Sequence, residues 1–178
     1  MRGSERRGGH IIRTSALRGL PLRHPAVLVA TWFGVGLIPI APGTWASLTA
    51  LPCAWVIRSL SGAPGLALAL LIVFIGGCRA AAIVAKASGV DDPGAVVIDE
   101  VIGQWLVLLA APLDTLDWAL AFLLFRLFDI WKPWPVRWVD RHVKGGFGIM
   151  LDDVAAAGYA LVVLSALLGI GGVSGVRV

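Results

Sequence analysis

The chain has 178 residues, 58% of them hydrophobic and only 15% charged, with a mean hydropathy of +0.85. Soluble domains carry about 25% charged residues, so this composition excludes an ordinary soluble fold and indicates a membrane protein of one domain. The formal net charge is +4, yet residues 1–25 hold six Arg and one Glu, leaving nine basic and ten acidic residues for the rest.

The basic excess is therefore an N-terminal arm, residues 1–25, ahead of a helical domain over 26–173 and a short tail, 174–178. Such an arm suits the anionic lipids of a cytoplasmic leaflet, and it reads equally as a disordered extension. No aromatic-basic platform accompanies it, so nucleic acid is not an expected partner. Cys53 and Cys78 lie in apolar surroundings without C-x-x-C spacing and read as small core residues. The first apolar run ends in Pro39-Ile40-Ala41-Pro42-Gly43, not in a small-residue cleavage site, and more apolar segments follow, which argues against a signal peptide.

Residues 26–40 are apolar but interrupted by Gly34, Gly36 and Pro39. Thr44, after Pro42-Gly43, looks like the N-cap of a helix through about residue 57. Ser61-Gly62-Ala63-Pro64 is a turn, and a second apolar helix runs from 65 through 78 toward Lys86. Residues 88–94 form a loop rich in Gly, Asp and Pro. A third helix spans about 96–111, a turn follows over 112–117, and a fourth helix runs from Trp118. After a basic, Trp-rich segment and the glycine loop Gly145-Gly146-Phe147-Gly148, a last helix covers about 149–170. Only this last helix approaches the ~20 apolar residues of a full span. The expected fold is all-α: a membrane-associated bundle of five to six helices with short hairpins and one full C-terminal span.

Helix parity makes a sharper prediction. If the helices pair as hairpins, Thr44, the Asp91 loop, Asp99 and Asp129 return to one side, with the turns at Gly62 and Asp114 on the other. Lys132, Arg137, Arg141 and Lys144 stand against the single acid Asp140, which marks that side as cytoplasmic, and Trp131, Trp134 and Trp138 fit an interfacial belt.

Residues 125–135, Phe-Arg-Leu-Phe-Asp-Ile-Trp-Lys-Pro-Trp-Pro, place Arg126, Asp129 and Lys132 three residues apart on one helix face. Pro133 and Pro135 end that helix, leaving Asp129 near a C-terminus where the dipole disfavours a carboxylate. Its partner is either a structural ion pair with Arg126 or Lys132, or a metal ion or phosphate held between acid and base. Asp91-Asp92-Pro93-Gly94 is ordinary turn chemistry. Asp99 and Glu100 complement the dipole of a helix start, yet two adjacent acids in an apolar segment must be solvated, paired or metal-bound. Asp152 and Asp153 repeat the arrangement after the glycine loop, whose backbone N–H groups could face an anion. Thr44 offers a hydroxyl at a helix start, suited to phosphate or to simple capping.

Five carboxylates brought together would repel unless divalent cations lay between them. Mg²⁺ takes a few carboxylates plus water and phosphate oxygens, and the bases can hold a phosphate, so the chemistry implied is metal-assisted attack of water on a phosphate ester. Cys53 and Arg58 lack the Cys-x5-Arg spacing, no D-x-D-x-[TV] occurs, His10, His24 and His142 are poorly placed for a nucleophile, and no nucleotide-binding G-x-x-x-x-G-K-[ST] loop is present.

The motifs Pro39-Ile40-Ala41-Pro42-Gly43-Thr44, Val97-Ile98-Asp99-Glu100-Val101-Ile102-Gly103, residues 125–135 and residues 145–153 resemble the phosphatidylglycerophosphatase A family, in family order, over about residues 25–160. Ala155-Ala156 departs from a bulkier pair common in the family. The resemblance implies a Mg²⁺-dependent, multi-pass enzyme of the bacterial inner membrane, its active site facing the cytoplasm, acting on phosphatidylglycerophosphate. Asp99, Glu100, Asp129, Asp152 and Asp153 would supply metal ligands and the general base, with Glu100 or Asp129 as that base. Arg126 and Lys132, then Thr44 and Lys144, would hold the phosphate. Two other readings stand beside it: a cation or proton pathway lined by the acids, and a scaffold binding anionic lipid through the Trp-rich segment.

Overall fold

Pro25 opens the first helix, α1 (Pro25–Ala30), where the missing proline amide costs nothing and the His24 ring accepts the Ala26 N–H at 3.2 Å. The computed structural model describes residues 19–173. Among them are six α-helices, one 3-10 turn (Val35–Leu37) and no strand. The other helices are α2 (Pro42–Ser88), α3 (Ile98–Ala110), α4 (Thr115–Trp131), α5 (Val136–His142) and α6 (Gly145–Val173). Residues 1–18 of the expected arm and the tail over 174–178 lie outside the described residues.

Helix α2 is two limbs joined at Gly62, whose φ of 66° and ψ of −169° leave the helical region; a side chain resists that conformation. The first limb runs alongside α3 in the same direction. Gly43 lies against Glu100, the Trp105 Nε1–H donates to the Ala50 carbonyl at 3.0 Å, and the Arg58 guanidinium donates to the carbonyls of Leu108 and Ala111. A cation there satisfies carbonyls that the end of α3 leaves free. The second limb returns, with Gly77 against Ile98 and Ile102. Helix α4 runs back from the far end, where Trp118 meets Trp55 edge-on at 5.0 Å, to the near end, where Arg126 reaches Ser47. The Val97 N–H, donating to the Ala30 carbonyl at 2.8 Å, ties the entry of α3 to α1. Gly43, Asp99, Asp129 and Asp153 thus share one end of the bundle, and Gly62 and Asp114 lie at the other.

Three local expectations are corrected. The N-cap of α2 is Ala41, not Thr44; Pro42 begins the helix earlier because its fixed φ already suits the first turn, and Thr44 falls inside that turn. Residues 145–148 are not a loop: α6 starts at Gly145, because Gly146 packs directly on the Cys78 carbonyl and on Ala82 of α2, a contact that supplies what the sequence lacks in helix propensity. Part of the Trp-rich segment coils as α5.

Two helices are long and apolar enough to cross a bilayer, Pro42–Ser88 and residues 145–169 of α6, with mean hydropathies of 2.3 and 1.7. The first was not expected to qualify; it does because the two apolar helices expected on either side of residues 61–64 join into one element kinked at Gly62, and its second limb continues past Arg79 to Ser88, as the sequence indicates. Leu68, Leu71, Ile72, Ile75 and Ile83 on that limb are exposed, an outward apolar face of the kind lipid covers.

The close approach at Gly146 makes a prediction. Gly146→Val drives a side chain into the α2 backbone and lowers unfolding stability by about 2 kcal/mol or more. Gly158 has nothing within 4 Å of a built Cβ, so Gly158→Ala leaves stability unchanged or raises it by about 0.5 kcal/mol. Paired denaturation curves in detergent measure both.

Candidate active site

The first turn of α3 carries Asp99 and Glu100, where carboxylates complement the helix dipole. Its neighbours Ile98, Val101 and Ile102 are fully buried, so the turn is drawn into the bundle and the acids go with it. Asp153 of α6 joins them, and the three offer carboxylate oxygens that all lie within 4.8 Å of one another. Asp99 Oδ1, Glu100 Oε2 and Asp153 Oδ2 are buried and have no hydrogen-bond partner. A methyl group at Gly43 would overlap the Glu100 carboxylate, so this glycine lets α2 close over the acid.

Buried like charges disfavour ionisation. Burial, then the charges of Glu100 and Asp153, hold Asp99 well above the usual carboxylate range. Burial likewise pushes Glu100 up to about 6, against an opposing hydrogen bond from Asp99. A divalent cation among them reverses this logic.

The other two expected acids sit beside this trio in ion pairs. Asp129 Oδ2 is 2.5 Å from Arg126 Nη1, both side chains nearly buried, and Arg126 Nη1 also lies 3.4 Å from the Ser47 hydroxyl. Arg126 Nε is buried with no partner. Asp152 Oδ2 is 2.6 Å from Lys132 Nζ, which also reaches Asp140 Oδ1 at 2.9 Å, while Asp152 Oδ1 is buried without a partner. Burial alone would lower the Lys132 pKa, but hydrogen bonds and charge from Asp152 and Asp140 outweigh it and keep the ammonium firmly protonated.

Thr44 is half-buried one residue after Gly43. Lys144 is exposed and lines a narrow cleft with Asp91, Asp92, Asp140 and Asp152. Burial also raises the Asp92 pKa, with Lys132 opposing. The sequence reading missed three polar groups. Ser47 is fully buried against Arg126 and lies one helical turn after Thr44. Gln104 is fully buried with both amide atoms unpartnered, one turn after Glu100. Asp140, counted only as a lone acid among bases, is the second anchor of Lys132.

The described end of the bundle therefore combines an oxygen-only cluster suited to a hard cation with a guanidinium and an ammonium that keep free donors. That arrangement can bind a phosphate and activate water beside it.

Comparison with known proteins agrees with this chemistry. The family model described as phosphatidylglycerophosphatase A matches residues 28–168. Phosphatidylglycerophosphatase A of Escherichia coli is 44% identical over 141 residues, covering 77% of this chain and 80% of the relative. The protein of the same name from Haemophilus influenzae is 42% identical over 152 residues, covering 85% and 93%. A Bacteroides thetaiotaomicron protein provisionally named a phosphatidylinositol-3-phosphatase is 38% identical over 148 residues, covering 78% and 91%. No solved structure matches the chain. Site geometry, motif order and these relatives converge: the chain belongs to the phosphatidylglycerophosphatase A family.

Proposed function

We propose that the protein hydrolyses phosphatidylglycerophosphate to phosphatidylglycerol and inorganic phosphate in phospholipid biosynthesis, with Mg²⁺ as its cofactor. The observation that carries the reading is the trio Asp99, Glu100 and Asp153: three carboxylates within 4.8 Å, with buried oxygens lacking partners. All the donors are oxygen, which fits Mg²⁺ and its preference for a few carboxylates completed by water and phosphate. Asp99, Glu100 and Asp153 would hold the ion, and Asp129 and Asp152 border it. Bound Mg²⁺ supplies positive charge that polarises the phosphate and acidifies water.

The protein's own groups do the rest. The Arg126 Nε–H, buried and unshared, points to a phosphate oxygen as its acceptor. Lys132 has three N–H donors and commits two to Asp140 and Asp152, leaving one for the phosphate. Asp129, positioned by its ion pair with Arg126, takes the proton of the attacking water. Thr44 and Lys144 flank the site as weaker phosphate contacts.

The reading extends to placement. With the two limbs of α2 and the apolar part of α6 crossing the bilayer, the protein is a multi-pass protein of the bacterial inner membrane. The acid end faces the cytoplasm, since Lys132, Arg137, Arg141 and Lys144 cluster there with exposed Trp131, Trp134 and Trp138. The acids gather at one end instead of lining the depth of the bundle, which argues against ion conduction. The Bacteroides relative supports a second substrate reading, phosphatidylinositol 3-phosphate. Purified protein given phosphatidylglycerophosphate, phosphatidylinositol 3-phosphate or phosphatidic acid tests all of this. Fastest phosphate release from the first lipid, abolished by chelator and restored by Mg²⁺, is the expected result. Undiminished release in excess chelator rejects the metal, and faster release from the inositol lipid rejects the substrate.

A further inference from the structure

Helix α4 ends at Trp131 and α5 begins at Val136, and between them opens a cavity of about 510 Å³ lined by Trp131, Lys132, Trp134, Arg137, Trp138 and Arg141, with His142 at its edge. We propose that this groove binds the phosphodiester of the substrate lipid, and so selects lipids carrying a second phosphate over phosphatidic acid, which has none. This rests on the lipid phosphatase reading above and adds a specificity subsite to it.

Charge is the first argument. Arg137 and Arg141 line the groove, make no ion pair among the described residues and meet no carboxylate there; Lys132 also lines it, but its charge is shared with Asp140 and Asp152, which with Asp91 and Asp92 line a separate cleft. A phosphodiester keeps one negative charge at any physiological pH, and Arg presents a rigid fork of donors to it. Continuity is the second. Lys132 lines the groove while its ammonium lies 2.6 Å from Asp152, the residue next to Asp153 of the acid trio. Arg137 Nη2 lies 3.4 Å from the carbonyl of Trp131, the residue before Lys132. A lipid whose terminal phosphate sits at the acids and whose diester follows after a three-carbon glycerol would lay that diester along this groove.

The third argument is that the groove is preformed and stands at lipid level. Trp131, Trp134 and Trp138 are 61%, 79% and 52% exposed, and indoles so placed belong at a membrane interface. The Tyr159 hydroxyl donates to the Trp134 carbonyl at 2.6 Å, which fastens the turn to α6, and Trp138 stacks on His142 at 4.8 Å. The guanidiniums of Arg137 and Arg141 are therefore presented by a braced wall.

The test compares wild type with Arg137→Gln/Arg141→Gln in mixed detergent micelles, with phosphatidylglycerophosphate and phosphatidic acid of matched chains as substrates. Both residues are exposed, so folding is preserved, and a melting curve verifies it. The double variant is expected to raise KM for phosphatidylglycerophosphate about tenfold or more, with kcat and the KM for phosphatidic acid within about twofold, as loss of charge-assisted hydrogen bonds to one anion predicts. Phosphatidylglycerol, which keeps the diester and lacks the terminal phosphate, inhibits wild type competitively and loses about tenfold in potency against the variant. Equal losses on both substrates, or undiminished inhibition by phosphatidylglycerol, overturn the subsite: the groove then holds bulk anionic lipid or nothing selective. Wild type inactive on both lipids would instead reject the phosphatase reading itself.

Discussion

Asp153→Asn is expected to lower phosphate release about a hundredfold or more, and at the same time to raise the melting temperature of chelator-treated protein. The two effects share one cause. Asp153 is 3% exposed and its carboxylate shares a 4.8 Å neighbourhood with those of Asp99 and Glu100. Without a cation, buried acids this close repel or must take up protons; an isosteric amide removes one charge and adds a donor that Asp99 or Glu100 can accept, worth about 1 kcal/mol. With Mg²⁺, the same change deletes a ligand from the ion that stabilises the transition state, and losing about 3 kcal/mol there is a loss of about a hundredfold in rate. Wild type should melt higher as Mg²⁺ is added, because only the folded state binds it, and the variant should not. A variant that is less stable in chelator, or that keeps wild-type turnover, would show that the trio is not a metal-binding centre.

That carboxylates would meet at one end was legible from helix parity and from the positions of acids in apolar segments. Their division of labour was not. Asp152 and Asp153 are adjacent in sequence, so on a helix they point about 100° apart. Which one faces Asp99 and which faces Lys132 depends on how α6 is rotated, and that is set by Gly146 seating on Cys78 and Ala82. A contact across nearly seventy residues leaves no local signature. The same glycines misled the reading of residues 145–148: an apparent loop composition turned out to be a packing face. Arg126 and Asp129 were legible as a pair because i,i+3 spacing is a local rule. Ser47 and Gln104 were not, since one small polar residue in an apolar helix has no periodic meaning until its neighbours are known. The length of α2 was underestimated because Ser61-Gly62-Ala63-Pro64 reads as a turn between two helices, whereas the element only kinks at Gly62; its run past Arg79 was legible, and Gly77 supports close packing there on Ile98 and Ile102. The head group of the substrate was carried by family motifs, not by any single interaction.

The Arg126–Asp129 pair separates structure from chemistry. Its side chains are 13% and 11% exposed at 2.5 Å, so Arg126→Met leaves Asp129 charged and uncompensated near Glu100 and costs about 3 kcal/mol of stability. Adding Asp129→Leu removes the stranded charge, and the double variant should recover to within about 1 kcal/mol of wild type, since a buried pair and an apolar pair of similar volume are often equally stable. Activity should not follow. If Arg126 also binds the phosphate and Asp129 accepts the water's proton, the double variant stays about a hundredfold or more below wild type in kcat/KM, because general-base catalysis alone is worth that much. Thermal unfolding and phosphate release measured on the same four proteins complete the cycle. A purely architectural ion pair predicts that turnover returns together with stability in the double variant; a pair at work in the reaction predicts that stability returns and turnover does not.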